Sequence, residues 1–217
     1  MSFQTIFEIQ QSMTVNNRRT VGQQVARSGY ITVAQYLTAV PWVFTVTPHN
    51  YLYYPQVRNV IQTIDNYDRQ LPENIFFQSA NLSWFMEYQG DNPTTPTGIQ
   101  IATTPTTNTQ TIVLKTLPSI ASTAYLFKAG DFIQFGGYTY KITADVLRGS
   151  GSTVTVSIHR PVIVASAVNT VVYVGTDCVI RVVAEQCPTY TLNPMTDGAF
   201  VQWDGPFVFR EYIIGAY

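Results

Sequence analysis

Apolar and polar residues alternate with a period of two along most of this chain, and one segment repeats convincingly at the helical period. The alternation is cleanest in PWVFTVTP at 41–48. There Trp42, Phe44 and Val46 fall on one face and Val43, Thr45 and Thr47 on the other. Pro41 and Pro48 bracket that strand, because proline cannot donate to a ladder. Ile6 to Val15 reads as an earlier strand, rich in β-formers. Asn16-Asn17-Arg18-Arg19 is a polar turn, and VGQQVARSG at 21–29 runs back from it, giving a β-hairpin with a basic tip. ITVAQYLTAV at 31–40 fits either period.

The helical segment begins at Pro55, which suits a first turn whose N–H groups have no partner. Val57, Val60, Ile61 and Ile64 follow at i, i+3, i+4 and i+7 spacing, so a helix is predicted over about 55–70 that packs by one face. Asp65 and Arg69 are placed to pair on its surface, a contact worth about 0.2–0.5 kcal/mol. Pro72 stops the helix.

After LSWFMEYQGD the texture changes. Residues 92–110 are dominated by Thr and Pro and read as a linker. Beyond it, TIVLKTL, the two halves of FKAGDFIQFGGYTYKITADV around Gly136-Gly137, TVTVSIHRPV, VNTVVYV and CVIRVVAE give short strands at close spacing. Such spacing with glycine turns predicts a small β-barrel over 111–186. Cys187-Pro188 and Asn193-Pro194 break the pattern. FVQWDGPFVFREYI at 200–213 then reads as a hairpin turning at Asp204-Gly205. Its Phe200, Trp203, Phe207, Phe209 and Tyr212 carry too much apolar area to leave in water. The expectation is that this stretch returns to pair with strands from the first 90 residues. The fold is then mainly β: a β-sandwich from 1–91 and 187–217, with the barrel inserted.

Composition narrows the function. The 217 residues are 46% hydrophobic and 12% charged, with net charge −1, against about 25% charged in an average soluble chain. A general nucleic-acid binder needs surplus Lys and Arg, so that class is excluded. The 14 Tyr, 12 Phe and 3 Trp exclude disorder. So few charges keep a monomer poorly soluble, which implies that much of the surface faces other chains. MSFQTIFEIQQSM has neither the basic nor the apolar region of a signal peptide. No stretch approaches the ~18 apolar residues of a membrane span, so no membrane partner is expected.

Candidate chemistry is sparse. His49 and His159 are the only histidines, and no GxSxG elbow accompanies them. Asp65 and Asp68 could serve as paired carboxylates or oxygen ligands, but Arg58 and Arg69 beside them favour structural ion pairs. Cys178 and Cys187 read as reduced thiols packed as small hydrophobes. RGSGS at 148–152 links two strands and lacks the Lys and the helix start that phosphate binding uses. Tyr51, Tyr53 and Tyr54, with Trp84, Phe85 and Tyr88, are either core and interface or a sugar-stacking platform, the former being the commoner use. The densest positive cluster is Arg18 and Arg19 with Arg27 near. Neither catalytic residues nor a metal or cofactor are expected.

A long hairpin, the strand PWVFTVTP, the helix VRNVIQTIDNYDRQL and further strands together resemble the tail-tube and distal-tail (baseplate hub) structural proteins of tailed bacteriophages. FKAGDFIQFGGYTYKITADVLRGSGSTVTVSIHRP is similar to a small β-domain of phage tail-hub and baseplate proteins. Its pattern there is Lys-Ala-Gly-Asp, a strand, a Gly turn, and a strand ending in Thr-x-Asp-Val. The resemblance covers about half the chain. It implies a tail-tube-like β-sandwich and a structural virion protein of the tail, assembled in the host cytoplasm. It implies a homo-oligomeric ring, most simply a hexamer, contacting other tail or baseplate proteins, with DNA passing only transiently through a lumen. Asn17, Arg18, Arg19 and Arg27 are then the expected subunit-interface residues, on an arm reaching a neighbour. The alternatives are a carbohydrate-binding adhesin module of a tail tip and a tail-associated hydrolase.

Overall fold

The computed structural model describes residues 2–18, 21–25, 31–35, 40–67, 71–195 and 198–214. The fold is mainly β, with 40% strand and 14% helix. Helix α1 (Ser2–Glu8) leads into β1 (Gln10–Asn16), β2 (Val21–Val25), β3 (Ile31–Gln35), β4 (Val43–Pro48) and β5 (Leu52–Tyr53). Helix α2 (Tyr54–Tyr67), β6 (Glu73–Phe76) and the one-turn helix α3 (Ser83–Met86) come next. Then follow β7 (Gln100–Ile101), β8 (Thr111–Lys115), β9 (Tyr125–Phe127) and β10 (Phe132–Phe135). After them come β11 (Tyr138–Lys141), β12 (Val146–Leu147), β13 (Thr153–Ser157) and β14 (Tyr173–Val174). The chain closes with β15 (Val179–Gln186), β16 (Tyr190–Met195), β17 (Gly198–Trp203) and β18 (Phe207–Glu211).

Two compact units result. The first combines Met1–Asn16, Pro41–Phe85 and Val179–Gly215; the second combines Asn17–Val40 with Met86–Cys178.

In the first unit, an antiparallel sheet runs in the order β1-β4-β18-β15-β6, and a smaller one in the order β16-β17-β5. Trp42, Phe44 and Val46 are buried and their alternates half-buried, as the period-two pattern of 41–48 predicts. The core is aromatic. Phe7 of α1 meets Phe44, Phe77 and Phe209 at centroid distances of 5.6, 6.2 and 5.1 Å. Burying rings of this size is the largest apolar gain available to so short a helix. Helix α2 packs Val57 and Ile61 on Val201 of β17.

Several elements differ from the sequence reading. The predicted strand over 6–15 is a helix to Glu8 and a strand only from Gln10, because Phe3, Ile6 and Phe7 seat on the sheet at helical spacing. β1 pairs with β4, while β2 pairs with β3, so the hairpin is 21–25 with 31–35 and does not turn at Asn16–Arg19. The single helix becomes three among the described residues, with α2 covering Tyr54–Tyr67 and Asp68 to Gln70 lying outside them. β15 joins the first unit's sheet, where it pairs with β6 and β18. The segment broken by prolines forms β16 at the edge of its sheet, where Pro194 has no ladder bond to forfeit on the outer side. Residues 200–213 do pair with strands from the first 90: β17 with β5 and β18 with β4. They are not a hairpin, since β17 and β18 enter different sheets.

In the second unit, β10 and β11 form the hairpin expected at Gly136-Gly137, both of which adopt positive φ, 59° and 82°. A two-residue turn of this hand needs such angles, which glycine takes without strain. Phe135 and Tyr140 stack at 4.5 Å in its core. Residues 92–110, read as a linker, carry β7, which pairs with β8 and buries Ile101 beside the buried Ile99. The unit's other sheets run β13-β8-β7 and β12-β9.

Candidate functional site

Several charged residues of the second unit are consumed by backbone. Asp131, fully buried, accepts the N–H groups of Gln89 and Lys128, both at 2.8 Å. Asp145 accepts from Ala129 N–H at 2.8 Å. The two carboxylates of the Lys-Ala-Gly-Asp and Thr-x-Asp-Val motifs thus tie one turn together. Burial raises the pKa of Asp131 above 3.8, whereas the Tyr125 N–H and Lys128 hold that of Asp91 below it. Arg148 of the RGSGS turn donates to the carbonyls of Pro118, Gly149 and Gly151. Arg160, fully buried, donates to the carbonyls of Val40 and Thr139 and lies 5.1 Å from the Tyr140 ring centre.

The histidines lie in different units. His49 is exposed, and the His159 Nδ1 accepts from Lys141 N–H at 2.9 Å. Both cysteines are free thiols, with Cys178 buried and its pKa driven up by that burial. Among the described residues no group of three or more His, Cys, Asp or Glu could hold a metal ion. Nor is any described helix long and apolar enough to cross a membrane. The aromatic set disperses. Tyr53 packs on Phe200, Tyr54 on the α2 cluster, and Phe85 on Phe44 and Phe77. Burial lifts the Tyr88 pKa to about 12. Of the four expected interface residues, Asn17 is half-buried and Arg18 exposed; Arg19 and Arg27 lie outside the described residues.

Among the described residues of the first unit, one edge of the five-stranded sheet and two grooves are open. The five-stranded sheet ends in β1 on one side and β6 on the other. The β6 edge is closed by a side chain: Gln4 donates to the Phe76 carbonyl at 3.0 Å and accepts from the Phe76 N–H at 2.9 Å. That amide stands where a further strand would hydrogen-bond. No strand pairs with the outer side of β1 among the described residues. Its sequence, QQSMTVN, holds neither charge nor proline. Natural edges usually carry one or the other to repel a second chain. The first groove, about 710 Å³, runs beside the start of β1 and is bordered by Glu8, His49 and Trp84, a residue that is 59% exposed. The second, about 460 Å³, lies between α2 and the approach to β16.

The chain matches no family model and no curated protein.

None of these open features was legible as a site. Edge status depends on which strands pair over long range, and groove walls come from segments far apart in the chain. The one sequence signal was the uncharged stretch 10–16 within a β-forming run.

Proposed function

We propose that the chain is a structural subunit of a phage tail or baseplate hub, assembling with its own copies into a ring and joining the tail tube to distal tail components. A sixfold ring is the simplest form. DNA would pass the lumen only transiently. The observation that carries the reading is the outer side of β1, which pairs with no strand among the described residues, at the opposite end of the sheet from a β6 edge closed by Gln4. A strand edge without charge or proline is kept soluble by pairing with another chain. The exposed Trp84 and Tyr51 and the 12% charge content support it as well. So does the resemblance of 127–161 to tail-hub β-domains.

Light scattering and electron microscopy of the purified chain test it. The expected result is a ring of discrete mass. Lysines placed on the edge by Ser12→Lys with Thr14→Lys should reduce that mass to a monomer's while the circular dichroism spectrum is retained. A wild-type protein that stays monomeric at every concentration overturns the proposal.

A further inference from the structure

In the second unit, the end of the β10–β11 hairpin meets the segment that follows β13 at an isolated antiparallel bridge, Ile142 opposite Ile158. Three hydrogen bonds flank the bridge. Thr143 N–H donates to the Ser157 carbonyl at 3.1 Å, and His159 N–H donates to the Lys141 carbonyl at 2.9 Å. The third uses a side chain: Lys141 N–H donates to His159 Nδ1 at 2.9 Å.

The hairpin register explains this third bond. Phe135 and Tyr138 close a two-residue turn and exchange hydrogen bonds, and bonded pairs then alternate along the ladder. Ile133 and Tyr140 are the next bonded pair, so Lys141, opposite Phe132, turns both its backbone groups away from β10. His159 meets both. Its Nδ1 must be bare to do so, because one N–H cannot accept from another. The ring stands edge-on to Tyr140, with centroids 6.4 Å apart.

The charged groups around the contact offer no counter-ion. Tyr140 and Lys141 lie on β11, and the guanidinium of the buried Arg160 donates to the Val40 and Thr139 carbonyls. The carboxylates of Asp131 and Asp145 are engaged by the N–H groups of Gln89, Lys128 and Ala129. Residues 108–111, which bond the 158–162 segment from its other side, carry no charge.

We infer that the His159 side chain is an acid-released clasp between the β10–β11 hairpin and the 157–162 segment. Closed, the clasp keeps a proton off Nδ1. Open, it leaves a free imidazole, which takes a proton near pH 6.5, the ordinary value for about any exposed histidine. The open form thus binds a proton that the closed form excludes, and it gains as pH falls through that value. From about pH 7.5 to about pH 5.5 the open fraction rises about tenfold. The inference goes beyond the assembly reading and does not rest on it, because every group involved belongs to one unit of one chain.

The test uses the whole chain labelled with nitrogen-15. Amide hydrogen exchange is followed residue by residue at about pH 7.5 and about pH 5.5, with the intrinsic pH dependence of exchange divided out. The expected result is about a tenfold loss of protection at Lys141 and Thr143 at the lower pH, with Tyr140, inside the hairpin, unchanged. His159→Asn keeps an acceptor oxygen near the place of Nδ1 and cannot titrate, so its protection should not respond to pH. A second reading needs no change at His159. The chain has two histidines, and the imidazole signals of His49, an exposed residue, are identified by their loss in His49→Asn. The remaining ring, His159, should show a bare Nδ1 at neutral pH. Any of three results overturns the inference: a protonated Nδ1 at neutral pH, Lys141 protection that does not fall with pH, or the same fall in His159→Asn.

Discussion

Asp131 and Asp91 both accept backbone N–H groups in the second unit, yet pH acts on them in opposite directions. Asp131 is buried, and desolvation of its charged form outweighs the two N–H donors. Its folded pKa lies above the unfolded 3.8, so the folded chain holds the proton more tightly. The stability from this group therefore falls as pH rises from 3.8 through the folded value. Asp91 is exposed, with its charged form favoured by the Tyr125 N–H and by Lys128 at 3.2 Å. Its contribution is present above 3.8 and is lost as pH falls through the lower folded value. Urea midpoints measured across acid pH should lose the first trend in Asp131→Asn and the second in Asp91→Asn. Asp131→Ala strands two N–H groups and should cost about 2–4 kcal/mol in urea unfolding at neutral pH.

Helix α1 shows what a side chain can do for a sheet. Phe7→Ala should cost about 3–5 kcal/mol, because it empties the contact with Phe44, Phe77 and Phe209. Gln4→Ala removes both bonds to Phe76 and should cost about 1–2 kcal/mol. It should also raise turbidity on concentration, since it bares a second edge. Local pattern announced some elements and concealed others for physical reasons. The strand at 43–48 and the Gly136-Gly137 hairpin were legible because each is decided by its own residues. Phe3, Ile6 and Phe7 carry the helical period of α1 in plain view, but FEIQQSMTV overlaps it with β-formers, so the change of period near Ile9 was invisible. Asp204-Gly205 looks like a hairpin turn. Only long-range pairing sends β18 between β4 and β15, with β17 going to β5. The same limit hid the second groove: Asp65, Tyr190 and Trp203, which line it, have no spacing that links them.

At the scale of the whole chain, the first unit is assembled from three segments that alternate in sequence with those of the second. A chain ending at Pro188 loses β16, β17 and β18, and with β18 the strand between β4 and β15. Amide hydrogen exchange should then show protection lost at 41–85 and kept at 111–158; simultaneous loss in both regions would show that the units do not fold separately. The Gln4 amide has one more consequence. A sheet with both borders bare can be lengthened at either end, and nothing intrinsic stops a filament. With β6 already occupied, the five-stranded sheet can accept a neighbour at one border only. If that neighbour offers its own β1, growth halts at a two-fold pair. A closed circle needs a donor other than β1, and the β2–β3 ribbon is a two-stranded element too small to stand alone in water. Parity is therefore informative: pairs mean border to border, and larger cycles mean that each copy gives one element and receives another.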